Sequence, residues 1–512
     1  MAENAEKKMK YVYGIDLGTT YSCIARVEEN GQPTVIKNKD GASTTPSVVN
    51  FTSDGVVVGQ VAKDTAVLDP ENTVSFVKRL MGKTEEVIEY GGKVYSPAGV
   101  SALILEKVVS DAAELLNDEV KDVVITVPAY FGDAERQATK SAGEGAGLNV
   151  LSIIDEPVAA ALCYGVTRVQ TDKNIMVYDL GGGTFDVTII QVKGGKMNVI
   201  CSEGNHTLGG HDWDQNIVEY LKTRFREETG FDGEFEPEDE QELLQKAEKA
   251  KIQLTSKDST AVPLVLQGER ARVELTREKF DELTASLLQT TIDLTDLAIK
   301  VASEKGITVD ELLLVGGSSF MPQVKNIVKE KYHLEPIMFD PHEAVAKGAA
   351  IYAQSLQALQ DIKITLPWDP IEVVFSTTKS FGLKILLNNE EKCCNMIIKN
   401  TQMPDGSVSV EKTFGTQYDN QTGADFVVYE SDFREEYYEL DPQYELGKAV
   451  LSLPPGLPAN TSVAVKFTIN KEGLLTATAT YDETHTCKLV FERKSGVTGD
   501  SVKEEIGNLI LL

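Results

Sequence analysis

The sequence predicts an α/β domain of two similar lobes followed by an all-β sandwich, and three observations carry that reading. Apolar strands alternate with amphipathic helices up to about residue 358. Within that stretch a strand, a glycine turn and a second strand occur twice, as Tyr13-Gly-Ile-Asp-Leu-Gly-Thr-Thr-Tyr and as Val177-Tyr-Asp-Leu-Gly-Gly-Gly-Thr-Phe-Asp. From about residue 373 the helical period gives way to a period of two.

Each element follows from its pattern. The two copies run on into apolar strands from Cys23 to Val27 and from Val187 to Val192, which implies two homologous lobes with a ligand cleft between them. Leu105, Val108, Val109, Ala112, Leu115 and Leu116 fall on one helical face, as do Val324, Ile327 and Val328. The acidic run Asp232 to Glu242 reads as a solvated loop leading into a helix. Leu312-Leu-Leu-Val-Gly-Gly-Ser-Ser is a buried strand ending at Gly316–Gly317 and opening a helix, and Leu208-Gly-Gly-His-Asp-Trp-Asp precedes another. Two prolines between Asp361 and Glu372 preclude a continuous helix and point to an extended linker. Val463, Val465, Phe467 and Ile469, then Leu475, Ala477, Ala479 and Tyr481, alternate about the turn residues Asn470–Gly473, a β-hairpin pattern. A short helix from Ser501 to Leu512 ends in an apolar tail. The expected boundaries are 1–358 for the α/β domain, 359–372 for the linker, 373–495 for the sandwich and 496–512 for the tail.

Composition narrows the partners. The net charge is −29, and so acidic a surface repels phosphate backbones and anionic lipid, which argues against a nucleic-acid or membrane partner. No apolar run approaches the ~18 residues that span a bilayer, and the polar start lacks a signal core, so a cytoplasmic location is expected. Six cysteines (Cys23, Cys163, Cys201, Cys393, Cys394, Cys487) have no framework spacing and read as reduced thiols. The pair Cys393–Cys394 reads as two ordinary residues of a strand or loop. His206 and His211 flank Gly209–Gly210 with no further ligand nearby, so no zinc site is expected.

The chemistry concentrates in the turns. Glycine at 18 lets backbone N–H groups approach an anion, and Thr19 and Thr20 add hydroxyl donors. Gly181, Gly182, Gly183 and Thr184 repeat the arrangement. Asp16, Asp179 and Asp186 would crowd negative charge beside a bound phosphate, which is tolerable with a cation between them, so a hydrated Mg²⁺ is implied. Either turn alone fits an ordinary glycine hairpin; the duplicated pair does not. Gly209–Gly210 and Gly316–Gly317 fit the same cleft, and each also fits plain packing.

GIDLGTTYS, KRLMGK, ITVPAYFGDAERQAT, IIDEPVAAALCYG, VYDLGGGTFDVTI, LGGHDWD, AEKAKIQLT and LLLVGGSSFMPQV together resemble the nucleotide-binding domain of DnaK-type chaperones, the seventy-kilodalton heat-shock family. They come in family order over about residues 10–358. The resemblance implies an α/β two-lobed actin-like ATPase domain followed by an all-β sandwich peptide-binding domain, with ATP or ADP, Mg²⁺ and K⁺ as cofactors. It implies that Lys78 reaches the γ-phosphate and orients the attacking water. Asp16, Glu156, Asp179 and Asp186 then hold water and the metal shell through water, while Gly18, Thr19, Thr20, Tyr21 and Thr184 surround the phosphates. Glu248, Lys251 and Thr255 match the adenosine-binding helix, beside Gly316, Gly317 and Ser318. Phe320 stands where the family has an adenine-stacking arginine, and His342 where it has an aspartate.

The region 373–495 resembles the family's substrate-binding sandwich in KNTQMP, TFGTQYDNQTGADFVVYE, LPPGLP and INKEGLLTATA. By that resemblance Leu383, Leu386, Phe414, Gln417, Ala424 and Phe426 form a groove for an extended polypeptide client. The family's other partners are a J-domain co-chaperone and a nucleotide exchange factor. Ser152, Asp155 and Phe375 depart from the J-domain docking pattern, which predicts weak J-protein stimulation. The sequence stops without the family's helical lid, and its tail Asn508-Leu-Ile-Leu-Leu invites self-association in a neighbour's groove. Two other readings are open from the residues: an assembly protein that keeps nucleotide as a structural ligand, and a sugar or metabolite kinase, which would leave the sandwich without a role.

Overall fold

Six consecutive residues of one strand, Asp122–Val127, are buried, the mark of a parallel strand covered on both faces. It belongs to the first of two matching sheets in the computed structural model, which describes residues 11–83, 87–166, 172–360, 368, 371–470, 475–491, 497–507 and 509–512. The chain divides into two units. The first comprises Met1–Gly195, Glu203–Ile371 and Ser495–Leu512; the second comprises Lys196–Ser202 and Glu372–Lys494.

The first unit holds both lobes. One sheet runs in the order Asn149–Asp155, Asp122–Val127, Tyr13–Asp16, Tyr21–Val27, Pro33–Ile36, with the first three strands parallel and the fourth reversed. The other runs Pro336–Met338, Glu311–Val315, Lys173–Leu180, Phe185–Lys193 with the same directions. The duplicated motif of the sequence is therefore duplicated in topology. In each lobe the glycine turn joins the last parallel strand to the first antiparallel one, pairing Asp16 with Cys23 and Leu180 with Phe185. The Ala344–Gln360 helix lies so close on the first sheet that a Cβ on Gly14 would sit 2.1 Å from the Ala350 nitrogen.

Helical periodicity holds with one exception. In the helix Pro97–Leu116, Leu105, Val108 and Ala112 are buried and Val109 and Leu116 pack at the core edge. Leu115, in the last turn, is exposed. The helix expected straight after Gly316–Gly317 is delayed. A 3-10 turn, Gly317–Phe320, comes first, and the helix Pro322–Tyr332 starts at Pro322, whose fixed φ and missing N–H suit a first helical position.

The C-terminal helix is Gly499–Ile506, capped by Thr498, whose hydroxyl accepts from Ser501 N–H at 3.1 Å. It belongs to the first unit. The tail beyond it, expected to seek a neighbour's groove, is paired within its own chain. Val56 N–H donates to the Ile510 carbonyl at 2.8 Å, and Leu512 N–H to the Val56 carbonyl at 2.9 Å.

The second unit is a sandwich. A five-stranded sheet (Tyr437–Glu439, Glu390–Ile397, Ser380–Leu387, Gly423–Ser431, Glu445–Ser452) faces a four-stranded one (Val408–Gly415, Ser462–Ile469, Leu475–Thr480, Thr486–Phe491). Val463, Val465, Phe467 and Ile469 are buried together with Leu475, Ala477 and Ala479, as the alternation requires. Ile469 pairs with Leu475. Most of the turn expected at Asn470–Gly473 and most of the linker expected at 361–372 lie outside the described residues. All six cysteines lie outside any disulfide. Cys393 packs with Val427, Tyr429 and Tyr438, and burial pushes its thiol up to about 12, which keeps it an unreactive thiol. No described helix is long and apolar enough to cross a membrane.

Gly14→Ala is expected to lower the stability of the first unit by about 1–3 kcal/mol, since the added methyl meets backbone that cannot step aside. Denaturant unfolding followed through the buried Trp213 checks this; an unchanged midpoint would show that the helix is not held against the strand.

Candidate functional site

A cavity of about 860 Å³ opens between the lobes of the first unit. Its floor is the two glycine turns set face to face. A Cβ on Gly182 would lie 1.9 Å from Thr20 Oγ1, and one on Gly183 would lie 2.3 Å from Thr19 Cγ2. The threonines of one turn thus occupy the side-chain space that the other turn leaves empty. Carbonyls of the second turn are spoken for, accepting from Gly210 N–H at 2.9 Å (Gly181) and His211 N–H at 2.8 Å (Gly182). This locks the turn to the start of the helix Gly210–Thr229.

Acidic side chains gather around this floor. Asp16 ends its strand, Glu156 opens the helix Glu156–Val166, and Asp179 stands on the strand Lys173–Leu180; all three line the cavity. Asp186 lies beneath, 1% exposed, its Oδ1 accepting from Tyr130 N–H at 3.0 Å. Lys78, buried on the 3-10 turn Val77–Leu80, forms an ion pair with Glu156. One lysine does not balance this much negative charge. Burial, then the Glu156 carboxylate, pushes Asp16 up to about 7 and Asp186 up to about 8. Asp179 is driven well above the usual carboxylate range by burial, then by Glu156, Asp186 and Asp16.

The donor set fits a divalent cation bound at a distance. Hard carboxylate oxygens with an excess of negative charge suit Mg²⁺. Among the described residues no three acidic, histidine or cysteine side chains converge into a direct ligand set, so such an ion would be held through its water shell. The cavity also receives a buried polar atom with no hydrogen-bond partner among the described residues, His211 Nδ1. Burial, with the Arg79 charge, lowers this imidazole to about 4 and keeps it neutral.

The walls come from both lobes. Lys63, on the helix Gln60–Thr65, reaches across to Glu248 on the helix Pro237–Leu254 at 2.7 Å and donates to Tyr21 Oη at 2.9 Å. Lys251 donates to the Gly210 carbonyl at 2.7 Å and to Asp214 at 2.8 Å, and Thr255 follows one turn on. Phe320 and His342 stack at 5.2 Å with their planes 26° apart. With Ile252 they bring apolar surface to a cavity otherwise rich in polar groups, a setting for a flat heterocycle.

Most of the residues expected from sequence meet here. Lys78, Glu156, Asp16, Asp179, Thr184, Gly18, Thr19, Thr20, Tyr21, Gly181 and Gly182 line the phosphate end of this reading, and Glu248, Lys251, Thr255, Gly316, Gly317, Ser318, Phe320 and His342 the other. Four do not reach the cavity. Gly183 and Gly209 pack backbone to backbone, Gly210 makes room for Ser318 Oγ, and Asp186 lies below the surface. Lys63, Phe76 and Ile252 are among the lining residues that were not expected. Ile252 sits four residues after Glu248 on the same helical face, so spacing alone could have found it. Phe76 has a left-handed backbone (φ 58°) and a ring 4.0 Å from the His211 imidazole, which no local sequence signal announces.

In the second unit the expected groove residues separate. Phe426 is 3% exposed and edge-on to Phe467 at 6.4 Å, and Leu383 is 5% exposed in the same core. These two hold the sheets together and do not offer a surface to a peptide. Phe414 and Ala424 are half-buried at the core edge, Leu386 is exposed on the opposite face of its strand, and Gln417 is exposed with its N–H on Gln421 Oε1 at 2.8 Å. In the first unit, Asp155 is taken up by a buried ion pair with Arg136.

A family model described as Hsp70 protein matches residues 12–89 and 85–509 of the chain.

The raised carboxylates make the ligand-free protein sensitive to pH. A carboxylate whose folded pKa exceeds its unfolded one adds stability that is present below the unfolded value, 3.8, and lost as pH rises through the folded value. For Asp16 and Asp186 that window closes at about 7 and about 8. Asp186→Asn keeps an oxygen for Tyr130 N–H and removes the charge. The variant is expected to lose less thermal stability than the native chain between pH 5.5 and 8.5, measured without nucleotide or metal; equal losses would show that Asp186 is not held uncharged by its surroundings.

Proposed function

The chain belongs to the Hsp70 protein family, and we propose that it is an ATP-hydrolysing chaperone that binds extended segments of unfolded polypeptides. Members of this family are ATPases that bind ATP or ADP with Mg²⁺. The observation that supports the reading most directly is the floor of the cleft: two interlocked glycine turns, buried carboxylates in excess, and one buried lysine among them.

The residues divide the work along the length of a nucleotide. The flat base enters between Ile252 and the stacked Phe320 and His342, with Gly316 and Gly317 beside it. Stacking survives the absence of a cationic side chain at 320, because an aromatic face carries the apolar part of the contact. Thr19, Thr20 and Thr184 donate to phosphate oxygens from both turns. Asp16 and Asp179, with Asp186 beneath, face the water shell of Mg²⁺, which when bound supplies positive charge to the phosphates; K⁺ is the second cation of this reading.

Phosphoryl transfer needs position and charge more than covalent help. Lys78 is held away from bulk water with Glu156 as its partner, so its ammonium is aimed before the ligand arrives. In this reading it donates to the terminal phosphate and orients the attacking water, while Glu156 accepts from that water. Lys63 and Glu248 bridge the lobes over the nucleotide. In the second unit Leu386, Phe414, Gln417 and Ala424 are the candidates for client contact, now without Leu383 and Phe426. A J-domain protein and a nucleotide exchange factor are the co-chaperones of the proposal, and the cytoplasm its location.

The test is steady-state ATP hydrolysis with Mg²⁺ and K⁺, with and without an unfolded polypeptide. Client is expected to raise the native rate, and Lys78→Ala to lower it by about 10²-fold or more. A rate indifferent to Lys78 would remove the catalytic reading; a Lys78-dependent rate indifferent to client would leave a nucleotide-binding assembly protein.

A further inference from the structure

The described residues of the C-terminal segment, 497–507 and 509–512, are built into the first unit through vacancies that the rest of that unit leaves for them. A Cβ on Gly145 would fall 2.3 Å from Val502 Cγ1, one on Gly99 would fall 1.8 Å from Glu505 Oε1, and one on Gly55 would fall 2.5 Å from the Ile510 carbonyl. Glycine stands at three of the points where the segment comes close. Val502 is fully buried and Ile506 6% exposed, both within the core of the first lobe, with Val497, Leu509 and Leu511 against its edge.

The polar contacts are equally specific. The Glu505 carboxylate accepts from Ser96 N–H at 2.6 Å and from the Ser96 hydroxyl at 2.9 Å, at the N-terminus of the helix Pro97–Leu116, where a negative charge meets the helix dipole favourably. Ser141 Oγ, on the helix Asp133–Gly145, donates to the Val497 carbonyl at 2.9 Å. Lys93 Nζ donates to the Glu504 carbonyl at 2.8 Å.

Those same two helices flank the turn that carries Lys78. Ser101 of the first helix donates to Met81 Sδ at 3.4 Å, and Gly82 lies so close to the second that its Cβ would be 2.9 Å from Glu135 N. We propose that this C-terminal segment is an intramolecular clasp that positions the Lys78 turn by wedging the helices Pro97–Leu116 and Asp133–Gly145 from outside. Two consequences follow. The stretch Glu372–Lys494 of the second unit is flanked in sequence on both sides by parts of the first. And Lys78, whose catalytic role rests on the function proposed above, depends for its setting on residues more than four hundred positions away in sequence.

Hydrogen exchange on the intact chain tests the clasp without reference to activity. An isolated helix of eight residues is marginal in water, below the ~12–15 residues that sustain one, so slow exchange in Gly499–Ile506 can come only from docking. The native chain is expected to show slow exchange there and at Val56 and Leu512. Val502→Asp is expected to release the helix and to speed exchange at Arg79, Met81 and Lys83, whose amides close the Lys78 turn, by on the order of tenfold, while the strand Glu311–Val315 of the other lobe keeps its protection. Glu505→Gln, a milder change, is expected to shift the same amides in the same order. Unprotected amides in Gly499–Ile506 of the native chain would overturn the docking, whether or not the protein hydrolyses ATP. A released helix with unchanged exchange at Arg79, Met81 and Lys83 would overturn the positioning. Loss of ATP turnover in Lys78→Ala bears on the proposed function alone.

Discussion

The interlock of the two glycine turns is the constraint on which the rest of the first unit depends. Thr20 fills the side-chain space of Gly182, and Thr19 that of Gly183, so neither turn can move without the other. Each turn is anchored in its own sheet by a parallel strand on one side and an antiparallel strand on the other. The two lobes are therefore joined at the one place where a ligand must touch both. A pair of hairpins lying side by side would hold a phosphate loosely; a pair sharing volume would hold it from two fixed directions.

Charge is concentrated at the same place, at a cost to the ligand-free protein. Asp16, Asp179, Asp186 and Glu156 are all taken largely out of water, and Lys78 answers only one of them directly. Burial, then the neighbouring Glu156 carboxylate, raises Asp16, Asp179 and Asp186 above the usual carboxylate range. The bridge over the cleft is of another kind. Lys63 and Glu248 remain about one-fifth exposed, and a pair that solvent still screens contributes at most ~1 kcal/mol. The floor is thus rigid and electrostatically strained while the roof is weakly latched, which suits a cleft that must admit and release its ligand.

Sequence reasoning reached the parts of this arrangement that are written locally. The duplicated turns, the strand that ends at Gly316, the Glu248-Lys251-Thr255 face and the alternation through Phe467 are all periodic or motif-like, and the structure contains each. What it missed depends on tertiary contact. Gly209 and Gly210 read as ligand-binding glycines, yet they serve close packing, and no local pattern separates the two uses. Leu383 and Phe426 alternate correctly, but a period of two states which face is apolar and not whether that face meets a second sheet or a peptide. The apolar tail is the clearest case. Leu509 and Leu511 read as a free apolar tail because the core they pack against, Val56 included, lies hundreds of residues earlier.

In the proposed function the two turns form one anion cradle. Calorimetric titration of the native chain with ATP and Mg²⁺, beside Gly182→Val, tests it most directly. The native chain should bind one nucleotide, and the variant should bind it at least about a hundredfold more weakly, because the valine side chain must displace Thr20 and part the turns. Far-ultraviolet circular dichroism should show the two proteins equally folded. Equal affinity in the two, with equal heats, would mean that nucleotide does not depend on the interlocked turns and that they form no cradle.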